Sequence, residues 1–233
     1  MRLVYSLLFV VAFALLFTSS IKKHSKFYYS IATAIAGITI AYEIYKLITD
    51  TKLQGFIGAL EKAFMKGNVS IGFLILVMFA GALYPKWKIT KKLLSIRAEA
   101  AILSCILLIP HCVMYFVGFI MHIDQILSYK PLPILYISYV IIGLIAFIIM
   151  IPLFITSFKK VRAKMTNKEW KKLQRWAYPF YFLTYVHIVI ALLNDDKVDM
   201  MKLGIYTVLF VGYFILKLIK ISNSKKKKHI GAM

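Results

Sequence analysis

The chain has 233 residues, of which 61% are hydrophobic and 17% charged, with a mean hydropathy of +0.78 and a formal net charge of +21. Apolar runs of 16 to 25 residues on so short a chain exclude a soluble globular domain, and they leave no stretch for a soluble flavin, nucleotide or catalytic domain. The basic residues lie in short loops between those runs rather than in one continuous patch, which sets nucleic acid aside as a partner.

Seven spans are predicted in chain order: Leu3 to Ile21, Phe27 to Ile48, Val69 to Tyr84, Ala98 to His122, Ile134 to Thr156, Trp176 to Leu193, and Met200 to Ile219. The first and third are short for a hydrocarbon core of about 30 Å. The expected fold is therefore all-α, a polytopic bundle of six to seven transmembrane helices in a multi-pass protein of the cell membrane. Residues 1–20 also resemble a signal peptide. Cleavage would strand Lys22, Lys23 and Lys26 on the outer side, so a retained helix is expected.

In the second span Glu43 and Lys46 are spaced to pair along one helix face, and a structural role is expected of them. Leu53, Phe56, Ile57, Leu60 and Phe64 then fall at helical spacing on an otherwise polar segment, which predicts a short helix on the membrane surface. Cys105 and Cys112, seven residues apart in one apolar run, are expected to be buried thiols. No phosphate-binding glycine loop, zinc spacing or Ser/His/Asp grouping occurs. Gly118, Gly143 and Gly204 are explained by close helix packing.

Lys and Arg divide unevenly between alternate loops. The loops at 22–26, 86–97 and 159–175, with the segment 220–228, carry 21, while the opposite set (Arg2, Lys52, Lys62, Lys66, Lys130, Lys197 and Lys202) carries 7. The positive-inside rule places the first group in the cytoplasm and the N-terminus outside. The Lys225 to Lys228 run reads as a solvated tail near anionic lipid.

Two histidines interrupt apolar segments: His111 in ILLIPHCVMYFVGF and His187 in YFLTYVHIVIALL. Both segments enter from a basic loop, so the helices run in the same direction and carry their imidazoles about 20 and 17 Å deep at about 1.5 Å per residue. Two imidazoles at matched depth can ligate one heme iron from both sides. His122, about 36 Å along by the same count, belongs at the outer interface beside Asp124. His24 and His229, among lysines, are expected to be solvated. Pro110, next to His111, is expected to kink its helix and so open room for a macrocycle.

From about Val69 to Ile219, two thirds of the chain, the sequence resembles the ferric-reductase-like transmembrane family, and within it the heme-binding membrane subunits of the bacterial methionine-sulfoxide reductase system. The stretches that carry the likeness are ALYPKWKITKKLLSIRAEAAILSCILLIPHCVMY, IPLFITSFKKVRAKMTNKEWKKLQRWAYPFYFLTYVHIVIALL, and the short acidic loop before the last apolar helix. The resemblance places the family's ligand histidines on His111 and His187, and basic family positions on Arg97 and Arg175, which also serve as positive-inside anchors. A family pattern Trp-x-x-Leu-His-Arg reads Trp170-Lys171-Lys172-Leu173-Gln174-Arg175 here, so the family's cytoplasmic-side histidine is replaced by an amide.

The resemblance thus implies a membrane b-type cytochrome holding one heme b between His111 and His187, the iron's axial ligands, and relaying electrons as a subunit of an oxidoreductase system. Its partners would be the lipid bilayer and a separate redox protein, extracytoplasmic by the heme's depth, with quinol as a donor and FMN or a quinone as the accompanying redox group. A bacterial plasma membrane is the expected location. The implied division is 1–68 for the N-terminal helices and interfacial segment, 69–220 for the heme-binding domain and 221–233 for a basic tail. The rival is a heme-free subunit or assembly factor on a degenerate version of the same scaffold. A small transporter lacks its usual inverted repeat.

Overall fold

The computed structural model describes residues 2–129, 131, 133–195 and 197–230, the side chains of Arg2 and residues 224–230 excepted. Lys130 and the side chains of Arg2, the Lys225 to Lys228 run and His229, which entered the sequence reading, lie outside the described residues. Thirteen helices and no strand occur among the described residues: α1 (Arg2–Leu16), α2 (Thr18–Lys23), α3 (Ser25–Thr49), α4 (Gly55–Met65), α5 (Asn68–Ala82), α6 (Lys88–Ser95), α7 (Arg97–Met121), α8 (Ile123–Ser128), α9 (Ile134–Ile155), α10 (Lys159–Arg162), α11 (Asn167–Gln174), α12 (Ala177–Leu193) and α13 (Met200–Ile230). This is the polytopic helical bundle that the apolar runs predict.

Five helical stretches are long and apolar enough to cross a membrane: α3, α7, α9, α11 with α12, and α13. A sixth crossing arises if α4 and α5, bent by 52° at their junction, act as one span. The seven predicted spans therefore narrow at the first and third runs. The first run breaks at Phe17, leaving α1 with 15 residues, or about 22 Å of rise.

α5 is the spine. It is buried without interruption from Val69 to Met78, as an all-round apolar sequence requires. On one side it closes a core with α1, α3 and α7 through Val10, Ala36, Phe73, Ile102 and Leu103. On the other it closes a second core with α9, α12 and α13 through Met78, Met150, Tyr181 and Phe210. Ser70 and Ser104 clamp α5 to α7 by reciprocal bonds, each hydroxyl donating to the other residue's carbonyl at 2.7 and 2.9 Å. Outward-facing Ile141, Leu144, Ile145 and Ile148 on α9 are exposed, as lipid-facing residues should be.

The basic loops gather at one end of the bundle. There the Lys220 ammonium donates to the Gly81 and Leu83 carbonyls at the end of α5, at 2.9 and 3.2 Å. Lys159 reaches the buried Glu99 carboxylate at 3.7 Å, and Arg162 lies over the Trp170 ring at 4.0 Å. At the other end α4 displays Phe56, Ile57 and Leu60 outward, consistent with a helix at the membrane surface.

Candidate functional site

α7 and α12 carry the two intramembrane histidines from the two separate cores, and between them the helices bring His111 and His187 face to edge. The ring centres are 6.2 Å apart and the planes are inclined at 88°. Two imidazoles bound to one metal through bonds of about 2 Å have ring centres about 6 Å apart, a separation close to the one observed.

Each ring is held by its Nδ1. In His187 this atom lies 2.8 Å from the Tyr139 carbonyl on α9, and in His111 it lies 3.3 Å from the Met65 carbonyl at the end of α4. A carbonyl only accepts, so Nδ1 carries the proton in both rings and Nε2 is left as a lone-pair donor atom. Metal-bound histidines are oriented in this way, with the second nitrogen tied to a carbonyl or carboxylate.

The local sequence makes both bonds accessible. Met65 closes α4, where the last carbonyls lack helical partners, and His111 supplies one. The next turn needs Gly67 at φ +69°, and a Cβ there would lie 3.2 Å from Leu108 Cδ1 and 3.8 Å from His111 Cγ. On α9, Tyr139 and Gly143 are one turn apart. A Cβ at Gly143 would lie 2.8 Å from both Cε1 and Nδ1 of His187, so only glycine lets the ring reach the Tyr139 carbonyl. The Tyr115 ring lies tilted against His111 with ring centres 4.6 Å apart, and the Tyr139 ring lies 5.8 Å from that of His187. α7 runs unbroken through the buried Pro110.

The other residues of interest sit elsewhere. His122 is exposed where α7 meets α8, and His24 is exposed between α2 and α3. Gln174 points into α9, its amide donating to Thr156 Oγ1 at 3.4 Å. Arg97 lies against Gly81 at the basic end, and Arg175 is exposed there. Cys105 and Cys112 are free, half-buried thiols. Among the described residues no third His, Cys, Asp or Glu joins the pair to form a metal cluster. Sequence reasoning found the histidines but missed Met65, Gly67, Tyr139 and Gly143, because a backbone carbonyl and an absent side chain leave no chemical signature.

The comparisons with known proteins agree with this architecture. The chain is 26% identical over 230 residues to an uncharacterized protein of Treponema pallidum (strain Nichols), covering 97% of this chain and 62% of that protein. It thus spans about six tenths of that relative's length. The family model described as ferric reductase like transmembrane component matches residues 66–185, more than half of the chain, from the α4–α5 turn through His111 to two residues short of His187. The chain is a membrane protein and belongs to the ferric reductase like transmembrane family.

Proposed function

We propose that this chain is a b-type cytochrome of the membrane, in which His111 and His187 are the axial ligands of one heme and electrons pass to a separate redox partner. The observation that carries the reading is the pair itself: two imidazoles 6.2 Å apart, each with Nδ1 on a backbone carbonyl and Nε2 free. Two protein ligands, with no third beside them among the described residues, suit a group that brings its own equatorial donors, which a porphyrin does. The residues present fit the group.

A bound heme supplies a one-electron iron couple, and the protein tunes and positions it. His111 and His187 bind. The Met65 and Tyr139 carbonyls fix their tautomer and raise their basicity. Gly67 and Gly143 admit the rings to those carbonyls, while Tyr115 and Leu108 flank the His111 ring. Gln174 is occupied by Thr156 and offers only an amide, so one heme per chain is expected. The partner and the direction of transfer belong to the same proposal: a redox protein on the side opposite the basic loops, or quinol from the bilayer.

The test is the absorbance spectrum of the purified full chain. About one heme b per chain, low-spin in both oxidation states, is expected, with loss of heme or conversion to high-spin in His111→Ala and in His187→Ala. Unchanged low-spin spectra in both variants overturn the ligand assignment. Heme-free wild-type protein favours the assembly-factor alternative.

A further inference from the structure

We propose that the carboxyl pair Glu43–Glu61 is a redox-linked proton site, taking one proton from the aqueous side opposite the basic loops when an electron arrives at the His111–His187 pair and releasing it when the electron leaves. The inference rests on the heme reading above and adds to it a function for residues that reading does not use.

Glu43 lies on α3 with only 6% of its surface exposed, and Lys46, one turn on, pairs with it. Glu61 approaches from α4 and sets its carboxyl within hydrogen-bonding reach of that of Glu43. One oxygen of Glu61 is buried and has no hydrogen-bond partner in the protein. Lys46 is the one ammonium paired with a carboxylate here, with Lys62 facing Glu61 more remotely, and like charges in contact favour a proton shared between the two carboxyls. Glu99, the other deeply buried carboxylate, already has Lys159.

The pair also lies beside the histidines. Glu61 is one turn, about 6 Å of rise, before Met65, whose carbonyl holds His111. Tyr115, whose ring lies 4.6 Å from that of His111, is within electrostatic range of Glu43. Along α3, Glu43 is about 27 Å from the basic-loop end, close to the opposite membrane boundary, so protons have a short path to it from that side. The ionisable groups facing the pair are Tyr42 and Lys46 on α3, Lys62 on α4 and Tyr115 on α7, and Asp195 beyond α12 faces Tyr115. α5 brings none, and α1, which also packs on α4, carries Arg2 and Tyr5.

With a heme held by His111 and His187, a flavin- or quinol-class donor would supply it one electron, and one proton from the water would convert the singly protonated carboxyl pair to a doubly protonated one. An electron added in a medium of low dielectric raises the proton affinity of carboxylates nearby, and the proton offsets its charge.

The test is a redox titration of the heme-loaded full chain over about pH 5 to 9. The wild-type midpoint should fall as pH rises, by up to about 59 mV per tenfold change in proton concentration for one electron coupled to one proton. Glu61→Gln should flatten the dependence and Glu61→Asp should restore it. The reduced-minus-oxidised infrared spectrum should show a protonated-carboxyl band in the wild type that shifts in heavy water and is missing in Glu61→Gln. A heme-loaded wild type with a pH-independent potential, or an unchanged slope in Glu61→Gln, overturns the proton site and leaves the ligand pair standing. A protein that binds no heme overturns both.

Discussion

Gly143 and His187 are packed so closely that a single methyl group cannot be placed between them: the Cβ of an alanine at 143 would lie 2.8 Å from two atoms of the imidazole. The same ring is held by the Tyr139 carbonyl at 2.8 Å, one turn earlier on α9. The ring therefore has no free direction in which to yield without losing that bond.

Gly143→Ala should accordingly release His187 from Tyr139 while leaving both histidines in place. Overpacking of this kind costs about 1–3 kcal/mol. The expected readout is weakened heme retention or partial high-spin character, together with a lower thermal midpoint. Gly118→Ala is the control, since nothing lies within 4 Å of a Cβ there, and it should leave the spectrum unchanged. Equal behaviour of the two variants would remove Gly143 from the site.

The contrast between these glycines shows where sequence reading stops. Gly118, Gly143 and Gly204 look alike in the sequence, yet only Gly143 touches a histidine, because the contact comes from α12 approaching α9 across the bundle. The helices were legible from apolar run length, and His111 and His187 stood out because imidazoles are rare in such runs. Their common depth followed from rise per residue. α1 reads as part of a span because its apolar composition hides the break at Phe17. Glu61 was passed over because apolar periodicity defines α4, and its polar positions become informative only once α3 lies against them.

Gln174 stands where the resembled family pattern has a histidine, and it is engaged with Thr156. No histidine occurs on α7 before His111, so Gln174→His has no partner imidazole for a second bis-histidine site. The heme-to-protein ratio should stay near one in both wild type and variant. Loss of this long, part-buried hydrogen bond should lower stability by about 1 kcal/mol. A ratio near two in the wild type would reveal a second ligand pair.

Ser70 and Ser104 join α5 to α7, and α7 carries His111. Interhelical hydrogen bonds in membranes contribute about 0.6 kcal/mol on average and about 1.7 at most. Ser104→Ala should lower stability within that range in a detergent unfolding titration, without changing the heme spectrum. A spectral change would mean that the clamp also sets the position of His111.

At the start of α13 the Asp199 carboxylate accepts from the Lys202 backbone N–H at 3.0 Å and pairs with its ammonium at 2.9 Å. These contacts hold its pKa below the usual aspartate value, the backbone bond foremost. A carboxyl depressed in the folded state stabilises above the unfolded value, near pH 4, and loses that contribution as pH falls through the depressed one. Acidification should therefore lower the protection factors of the first amides of α13, measured against their intrinsic exchange rates at each pH, and Asp199→Ala should lower them in the same way at neutral pH. Slow exchange in that variant would show that the cap is idle.

The side of electron exchange follows from depth. His111 and His187 lie about 20 and 17 Å from the basic-loop ends of their helices, past the middle of a core about 30 Å thick. Tyr115, Tyr136 and Tyr139 surround the pair toward the opposite side, the Tyr136 and Tyr139 rings 5.2 Å apart. The redox partner should therefore act from that side. In vesicles of defined orientation, a membrane-impermeant oxidant should reoxidise the reduced heme faster from the face opposite the basic loops. Faster reaction from the basic face would overturn either the orientation drawn from the 21-to-7 charge bias or the ligand pair itself. Labelling of single cysteines placed in the 159–175 loop decides between these: label from the cytoplasmic face alone keeps the orientation and removes the ligand pair.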